Sequence, residues 1–221
     1  MILLSKYVSR WDFILRRCAG RSVLHLGCIG ITEGATDEKV TSMMAERVLH
    51  AKLRRICRDI VGVDYDKATV QALVQRGFTE IICGDVQQLE ELPLAQTFDV
   101  IVCGDLIEHL GKPGSMLEGI KTRMDKDAEL LISTPNAFGL LQFARYAGNV
   151  FREGNDHVLS FSIFTLHNLL QRHGFCIAEA YTCYCTPPSK QSERFRYALG
   201  KPFLQLFPKF GGTLLVVARL M

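Results

Sequence analysis

Short apolar runs alternate with amphipathic helix-like segments along this chain, and that alternation constrains its fold more than any other feature. Strand-like runs lie at 23–26, 60–63, 80–83, 98–103, 129–132, 176–185 and 213–220. Between the early runs, segments with a helical period lie at 37–58, 67–76 and 114–124. The pattern predicts right-handed βαβ units and an α/β fold, a doubly wound sheet with helices on both faces. In such sheets, ligands bind beyond the carboxyl ends of the strands.

Length and charge describe an ordinary globular chain. Its 221 residues fit one domain over 1–221, and 26 basic against 23 acidic residues are interspersed. Since no basic cluster stands out, we do not expect a nucleic-acid partner. The eight scattered cysteines indicate a reducing, cytoplasmic compartment, and no apolar stretch is long enough for a membrane span.

The first predicted strand ends in a glycine turn. Gly27, Cys28 and Gly30 lie where the chain passes from strand to helix, so a ligand could approach the backbone there closely. The spacing is not the G-x-G-x-x-G fingerprint of dinucleotide-binding proteins, which speaks against a nicotinamide-dependent oxidoreductase. A plain tight turn explains this segment equally well.

Carboxylates follow the next two strands. Asp64, followed by Tyr65, can accept hydrogen bonds from both hydroxyls of a ribose. Asp85, followed by Val86, offers an acceptor for an exocyclic amine and an apolar surface for a base. Either aspartate could instead cap a helix.

The fourth strand ends at Cys103 and is followed by a group of ionisable residues. Asp105, Glu108 and His109 have the i, i+3, i+4 spacing that places side chains on one face of a helical turn. His109 titrates near neutral pH and could act as a general base, with Glu108 beside it. The same set could ligate Mg²⁺, Mn²⁺ or Zn²⁺, or His109 could simply pack or cap a helix.

The order of these motifs resembles the Rossmann-like (class I) S-adenosylmethionine-dependent methyltransferases, especially the ubiquinone-type O-methyltransferase branch. That branch has a glutamate-histidine pair after the fourth strand, and the stretches 132–136 and 157–161 are also similar to it. The resemblance implies a seven-stranded sheet, mostly parallel with an antiparallel last strand. It also implies an N-terminal helix within 1–20 over the cofactor site and an acceptor-side insertion at 137–160.

The resemblance further implies S-adenosylmethionine as methyl donor and S-adenosylhomocysteine as product. The donor-binding positions carried over from it are Gly27, Cys28, Gly30, Asp64, Tyr65, Asp85, Val86 and Cys103. We expect O-methylation of a small-molecule or sugar hydroxyl, with His109 and Glu108 as catalytic residues. The corresponding partner is a small-molecule or glycan acceptor.

Two alternatives stay open at this point. One is a non-catalytic binding module, because the chain has His25 where the family usually has an acidic residue and Ile29 where it usually has a second glycine. The other is a metal-dependent RNA 3′-end 2′-O-methyltransferase, which the chain resembles through a ligand set of Asp105, Glu108, His109 and His157. We do not expect a divalent metal, since Asp105 is shorter than the glutamate of that set.

Overall fold

The computed structural model describes residues 4, 6–30, 36–150, 154, 156–184 and 191–221, without the side chains of 192–197 and 199. The predicted segment 37–58 lies entirely within the described residues. In the predicted segments 1–20 and 137–160, residues 1–3, 5, 151–153 and 155 lie outside them. Cys185, at the end of a predicted strand, also lies outside them.

Eight strands form one mixed sheet. Their bounds are β1 Tyr7–Ser9, β2 Ser22–Leu26, β3 Asp59–Asp64, β4 Ile81–Cys83, β5 Phe98–Gly104, β6 Met124–Pro135, β7 Phe175–Tyr184 and β8 Thr213–Leu220. They are arranged in the order β1-β7-β8-β6-β5-β2-β3-β4. Only β8 runs antiparallel to its neighbours, which confirms the predicted antiparallel last strand.

The predicted count of seven strands is wrong by one. The additional strand is β1, which pairs in parallel with the edge of β7, with Tyr7 opposite Thr182. A three-residue strand is too short for a period-two pattern to be visible in the sequence. The N-terminal helix consequently begins only at Arg10.

Helices cover both faces of the sheet. Their bounds are α1 Arg10–Cys18, α2 Thr36–Met44, α3 Leu49–Ile56, α4 Lys67–Val74, α5 Pro113–Lys121, α6 Leu140–Ala147, α7 Ile163–Arg172 and α8 Gln191–Leu206. The predicted helix at 37–58 is divided into α2 and α3, because Glu46 has a left-handed φ of 55° that interrupts it. No helix within the described ranges combines the length and apolar character needed to cross a bilayer.

The core lies on both sides of the central strands. On β5, Ile101 packs with the α5 and α7 side of the sheet, whereas Val100 and Val102 pack against α1 and α3. Successive side chains of a strand point to opposite faces, so a strand covered on both faces is apolar throughout. This explains why the runs are continuous in the sequence, and it leaves the carboxyl ends of the strands as the exposed edge.

Candidate active site

The glycine turn lies at the switch point of the sheet. From β2 the chain proceeds to β3 and β4 on one side, and β5 and β6 lie on the other. Gly27 and Gly30 have φ values of 66° and 69°, a left-handed conformation that favours glycine. The backbone N–H groups of Gly27 and Cys28 donate to the carbonyl oxygen of Val63 at 2.9 and 3.3 Å. The turn is thereby fixed against β3, next to the predicted ribose ligand.

Asp64 ends β3 directly beside this turn. Its Oδ2 accepts from the backbone N–H of Ile29 at 3.0 Å, and its Oδ1 accepts from that of Asp66 at 3.1 Å. Burial raises the pKa of Asp64, while these two backbone donors oppose the rise. A carboxylate has about four lone-pair sites, so both oxygens can still accept a ribose hydroxyl. Tyr65, next in the chain, is 73% exposed.

Asp85 and Val86 lie at the end of β4. Asp85 is exposed, and its Oδ1 accepts from the backbone N–H of Gln87 at 2.9 Å, so it caps the short 3₁₀ helix Val86–Glu91. Its Oδ2 also faces the side chain of Gln87, at 3.4 Å. Capping and ligand binding are compatible here, because an ionised carboxylate accepts several hydrogen bonds at once.

The two cysteines predicted to contact the donor, Cys28 and Cys103, have buried side chains. Cys103 is fully buried, with its Sγ 3.9 Å from the Sδ of Met116, and Cys28 is buried against Gly62. Only the backbone of either residue can face a ligand. We therefore keep Cys28 and Cys103 as predicted donor contacts through the main chain alone.

The side chains of His25 and Ile29, the two departures from the family pattern, are both buried. The Nδ1 of His25 lies 3.3 Å from the Nδ1 of His50, and both imidazoles are buried and stacked. Burial lowers the pKa of His25, and the neighbouring His50 and Arg10 lower it further. Ile29 is buried beside Val40 in a core cluster. The substitutions thus change the packing beneath the turn and keep both left-handed glycines.

The buried histidine pair predicts a pH dependence of stability. Because the pKa of His25 is lower in the folded protein than the unfolded value of about 6.5, the folded state binds fewer protons, and stability falls as the pH drops below that value. We expect the free energy of unfolding to fall by up to about 1.4 kcal/mol per pH unit below pH 6.5. Urea unfolding measured between pH 5 and 8 should show a smaller fall in the free energy of unfolding for His25→Asn than for the wild type.

His173→Asn is the matched control for that measurement. His173 is partly exposed, and its Nδ1 lies 2.6 Å from a carboxylate oxygen of Glu118. Its replacement should leave the steep fall below pH 6.5 in place. If the free energy of unfolding falls equally with decreasing pH in His25→Asn and in the wild type, the buried histidine pair does not cause the pH dependence.

Asp105 is not part of the cluster that the other three predicted metal ligands form. It has a φ of 48° and forms an ion pair with Arg10, whose Nη1 also donates to the Oγ of Ser133 at 3.2 Å. The helical turn includes only Ile107–His109. The expectation that Asp105 shares one face with Glu108 and His109 is therefore wrong. The ion pair instead holds the start of α1 at the carboxyl edge of β5 and β6.

Glu108 is a buried carboxyl group with one oxygen bound. Its Oε2 accepts from the Oγ1 of Thr134 at 2.9 Å, and its main-chain oxygen accepts from the N–H groups of Val158 and Leu159 at 2.9 and 3.0 Å. Its buried Oε1 has no hydrogen-bond partner in the described part of the chain. Burial, and secondarily the charge of Asp105, raises the pKa of Glu108 to about 8. At neutral pH this group is mainly protonated.

His109 is oriented by the segment after α6. Its Nδ1 lies 3.2 Å from both the main-chain oxygen and a carboxylate oxygen of Asp156. A proton on Nδ1 can be donated to Asp156, which leaves Nε2 with a free lone pair. The ring meets that of His157 edge-on, with centroids 4.8 Å apart.

Three of the four predicted metal ligands come together. One ligand atom each from Glu108, His109 and His157 lies within 4.8 Å of the others. Two imidazoles and a carboxylate suit a first-row divalent ion such as Zn²⁺. The fourth candidate, Asp105, is held by Arg10 instead.

A pocket of about 340 Å³ opens beside this cluster. Its described lining comes from the end of β6, from α6, from 157–160 and from the start of β8, and it includes Thr134 and His157. Part of the predicted acceptor-side insertion 137–160 thus borders a cavity of the size that binds small molecules. The predicted donor residues and this pocket meet at the same edge of the sheet.

Comparison with known proteins agrees with this arrangement. A family model described as a methyltransferase domain matches residues 34–180, about two thirds of the chain. The chain belongs to this methyltransferase family. The domain has the fold and motif order of S-adenosylmethionine-dependent enzymes, and its residues at the glycine turn, Asp64 and Asp85 fit that donor.

Named relatives fall in the same class. The methyltransferase is 31% identical over 133 residues to a ubiquinone biosynthesis O-methyltransferase from Hahella chejuensis, covering 58% of this chain and 49% of that protein. It is 32% identical over 126 residues to a probable S-adenosylmethionine-dependent methyltransferase from Mycolicibacterium smegmatis, covering 56% and 41%. The chain therefore spans half or less of the length of these relatives.

Solved structures share the fold at low sequence identity. An S-adenosylmethionine-dependent methyltransferase from Archaeoglobus fulgidus superposes with a TM-score of 0.57 at 16% identity, covering 95% of this chain and 90% of that one. Magnesium protoporphyrin IX methyltransferase from Synechocystis, solved with bound S-adenosylhomocysteine, gives 0.54 at 15% identity, covering 94% and 80%. The α/β methyltransferase fold is thus confirmed.

The sequence assigned no contact to several side chains of this site. Asp156 was not expected there, and the contacts of Arg10, in the predicted N-terminal helix, and of Ser133, in the stretch 132–136, form only in the folded chain. Thr134 belongs to the stretch 132–136 that resembles the family, and its hydroxyl proves to bind Glu108. The sequence signal for a role of Thr134 was its position shortly after the apolar run 129–132.

Proposed function

We propose that this methyltransferase transfers a methyl group to the oxygen of a small-molecule or sugar hydroxyl. The observation that carries the proposal is the orientation of His109, whose Nδ1 is held by Asp156 beside the pocket. An imidazole whose Nδ1 is fixed in this way presents Nε2 as a proton acceptor. The O-methyltransferase relative from Hahella chejuensis supports the same chemistry.

The donor residues have a binding role in this proposal. Asp64 accepts hydrogen bonds from the ribose hydroxyls, Asp85 accepts from the adenine amine, and Tyr65 and Val86 contact the apolar faces of the nucleoside. The left-handed glycines let the donor approach the backbone closely. When bound, the donor supplies a methyl group on a positively charged sulfur, which leaves as the neutral thioether S-adenosylhomocysteine.

On the acceptor side, the proposed step requires alignment and removal of one proton. The acceptor oxygen forms a bond to the methyl carbon as the carbon–sulfur bond breaks, and the hydroxyl proton passes to the Nε2 of His109. Asp156 stabilises the resulting imidazolium. Glu108, buried beside His109 and bound to Thr134, has a positioning role for the acceptor site in this proposal. Such alignment supplies much of the acceleration in a displacement reaction.

The test is to identify the methylated atom. Purified protein is incubated with donor labelled by ¹³C in the methyl group and with a small-molecule extract of the source cells, and products are analysed by NMR. We expect the label in a methoxy group, whose carbon shift differs from those of N-methyl and C-methyl groups. Label in an N-methyl group would refute O-methylation while leaving the methyltransferase assignment intact.

The role of a metal is decided in the same assay. Here His109 accepts the proton directly, so EDTA should leave turnover unchanged. Loss of turnover in EDTA and recovery with Mg²⁺, Mn²⁺ or Zn²⁺ would instead assign Glu108, His109 and His157 as ligands. That outcome would favour the metal-dependent alternative.

A further inference from the structure

The acceptor pocket has one permanently charged residue among its described lining residues. This residue is Arg145, while the others are apolar or uncharged polar residues and one histidine, His157. Leu141 and Leu159 contribute the apolar wall. The guanidinium of Arg145 is therefore the group of the described lining that can pair with an anion through a permanent charge.

Arg145 is presented to the pocket by helix α6. Leu141 and Arg145 are four residues apart, so they lie on one face of the helix, and both line the pocket. None of the residues of α6 is buried. The helix therefore contributes to the pocket wall without packing into the core, and the arginine is not needed to hold it in place.

The guanidinium of Arg145 forms no ion pair with a described residue, unlike many arginines of this chain. Three of them, Arg17, Arg21 and Arg219, converge on the carboxylate of Glu129 at 2.7 to 3.0 Å. Arg145 has no comparable acidic neighbour in the described structure. A guanidinium pairs most strongly with a planar carboxylate or a phosphate through two parallel hydrogen bonds.

The neutral polar groups of the pocket are mostly engaged already. The amide nitrogen of Asn136 donates to the carbonyl oxygens of Lys209 and Gly211 at 3.2 and 2.8 Å, and its Oδ1 accepts from the N–H of Phe138. The hydroxyl of Thr134 donates to Glu108. Arg145 is therefore the described lining residue that can recognise a charged group of the acceptor.

We propose that the acceptor carries an anionic group, a carboxylate or a phosphate, and that Arg145 binds it. Binding at α6 holds one end of the acceptor while its hydroxyl lies toward His157, which also lines the pocket, and toward the neighbouring His109. This inference names the substrate class of the proposed O-methyltransferase site and rests on that function. Arg145 is accordingly a specificity-determining residue.

The test measures binding, so it does not depend on turnover. Protein saturated with S-adenosylhomocysteine is titrated with benzoate, phenyl phosphate and the neutral benzamide, at constant ionic strength, with binding followed by calorimetry or NMR. We expect at least one anion to bind about tenfold more tightly than benzamide, since a charge-assisted pair contributes about 1.4 kcal/mol or more. The tighter anion distinguishes carboxylate from phosphate as the recognised group.

Variants assign the effect to Arg145. Arg145→Gln should lose about tenfold in affinity for the preferred anion and leave benzamide binding unchanged, and Arg145→Lys should retain part of it. Arg172→Gln, an exposed arginine on α7, is the control and should change neither. Equal binding of anions and benzamide, or an unaltered anion affinity in Arg145→Gln with normal thermal stability, would overturn the proposal. A product methylated on nitrogen would refute O-methylation and leave this result standing.

Discussion

Asp64→Ala should weaken the binding of S-adenosylhomocysteine by about 100-fold or more. The variant removes an acceptor for two ribose hydroxyls, and a hydrogen bond to a charged group contributes about 1.5–3 kcal/mol. Two such bonds correspond to about two powers of ten in Kd. Calorimetric titration of the wild type and the variant measures the difference directly.

Two controls separate this effect from a structural one. Asp59→Ala removes a carboxylate from the opposite end of β3, where its side chain is 61% exposed, and should leave the affinity unchanged. Asp64→Ala also loses the bonds from the N–H groups of Ile29 and Asp66, so its unfolding transition is measured alongside. A folded variant that keeps wild-type affinity would contradict the assignment of Asp64.

His109→Gln should lower kcat by about 100-fold to 10,000-fold, the range typical of a lost general base. The predicted ribose and adenine contacts lie on the β3 side of the glycine turn, so Kd for S-adenosylhomocysteine should change by less than about threefold. Steady-state kinetics with the acceptor identified by the labelling experiment, together with a titration, provide both values.

The matched control is His173→Gln. His173, like His109, is a partly exposed histidine next to a carboxylate, and it lies at the end of α7. Its replacement should leave kcat unaltered. If His109→Gln retains full turnover, the proton does not pass to His109 and its assignment as general base is wrong.

Much of the fold follows from the sequence for a clear physical reason. Strands such as β5 are covered on both faces, so their residues are continuously apolar and easily recognised. The predicted donor ligands also have a local signal, because Asp64 ends β3 and Asp85 lies two residues beyond the end of β4. Strand β1 escaped prediction because it has three residues and is stabilised by pairing with β7, a contact distant in sequence.

The candidate catalytic group was predicted only in part. Glu108 and His109 lie together because they are adjacent in the chain, but Asp105 adopts a left-handed conformation and pairs with Arg10. No local pattern reveals that ion pair, since its partners are 95 residues apart. From the sequence, His25 was expected to alter the donor turn. Only the fold shows that it packs against His50.

The most direct test of the central claim is calorimetric titration of the unaltered protein with S-adenosylmethionine and S-adenosylhomocysteine. The arrangement of the glycine turn, Asp64 and Asp85 predicts that each ligand binds at one site with micromolar affinity, and that each competes with the other. A folded protein that binds neither ligand would contradict the account, and the substitutions at His25 and Ile29 would then mark a binding module that has lost the donor.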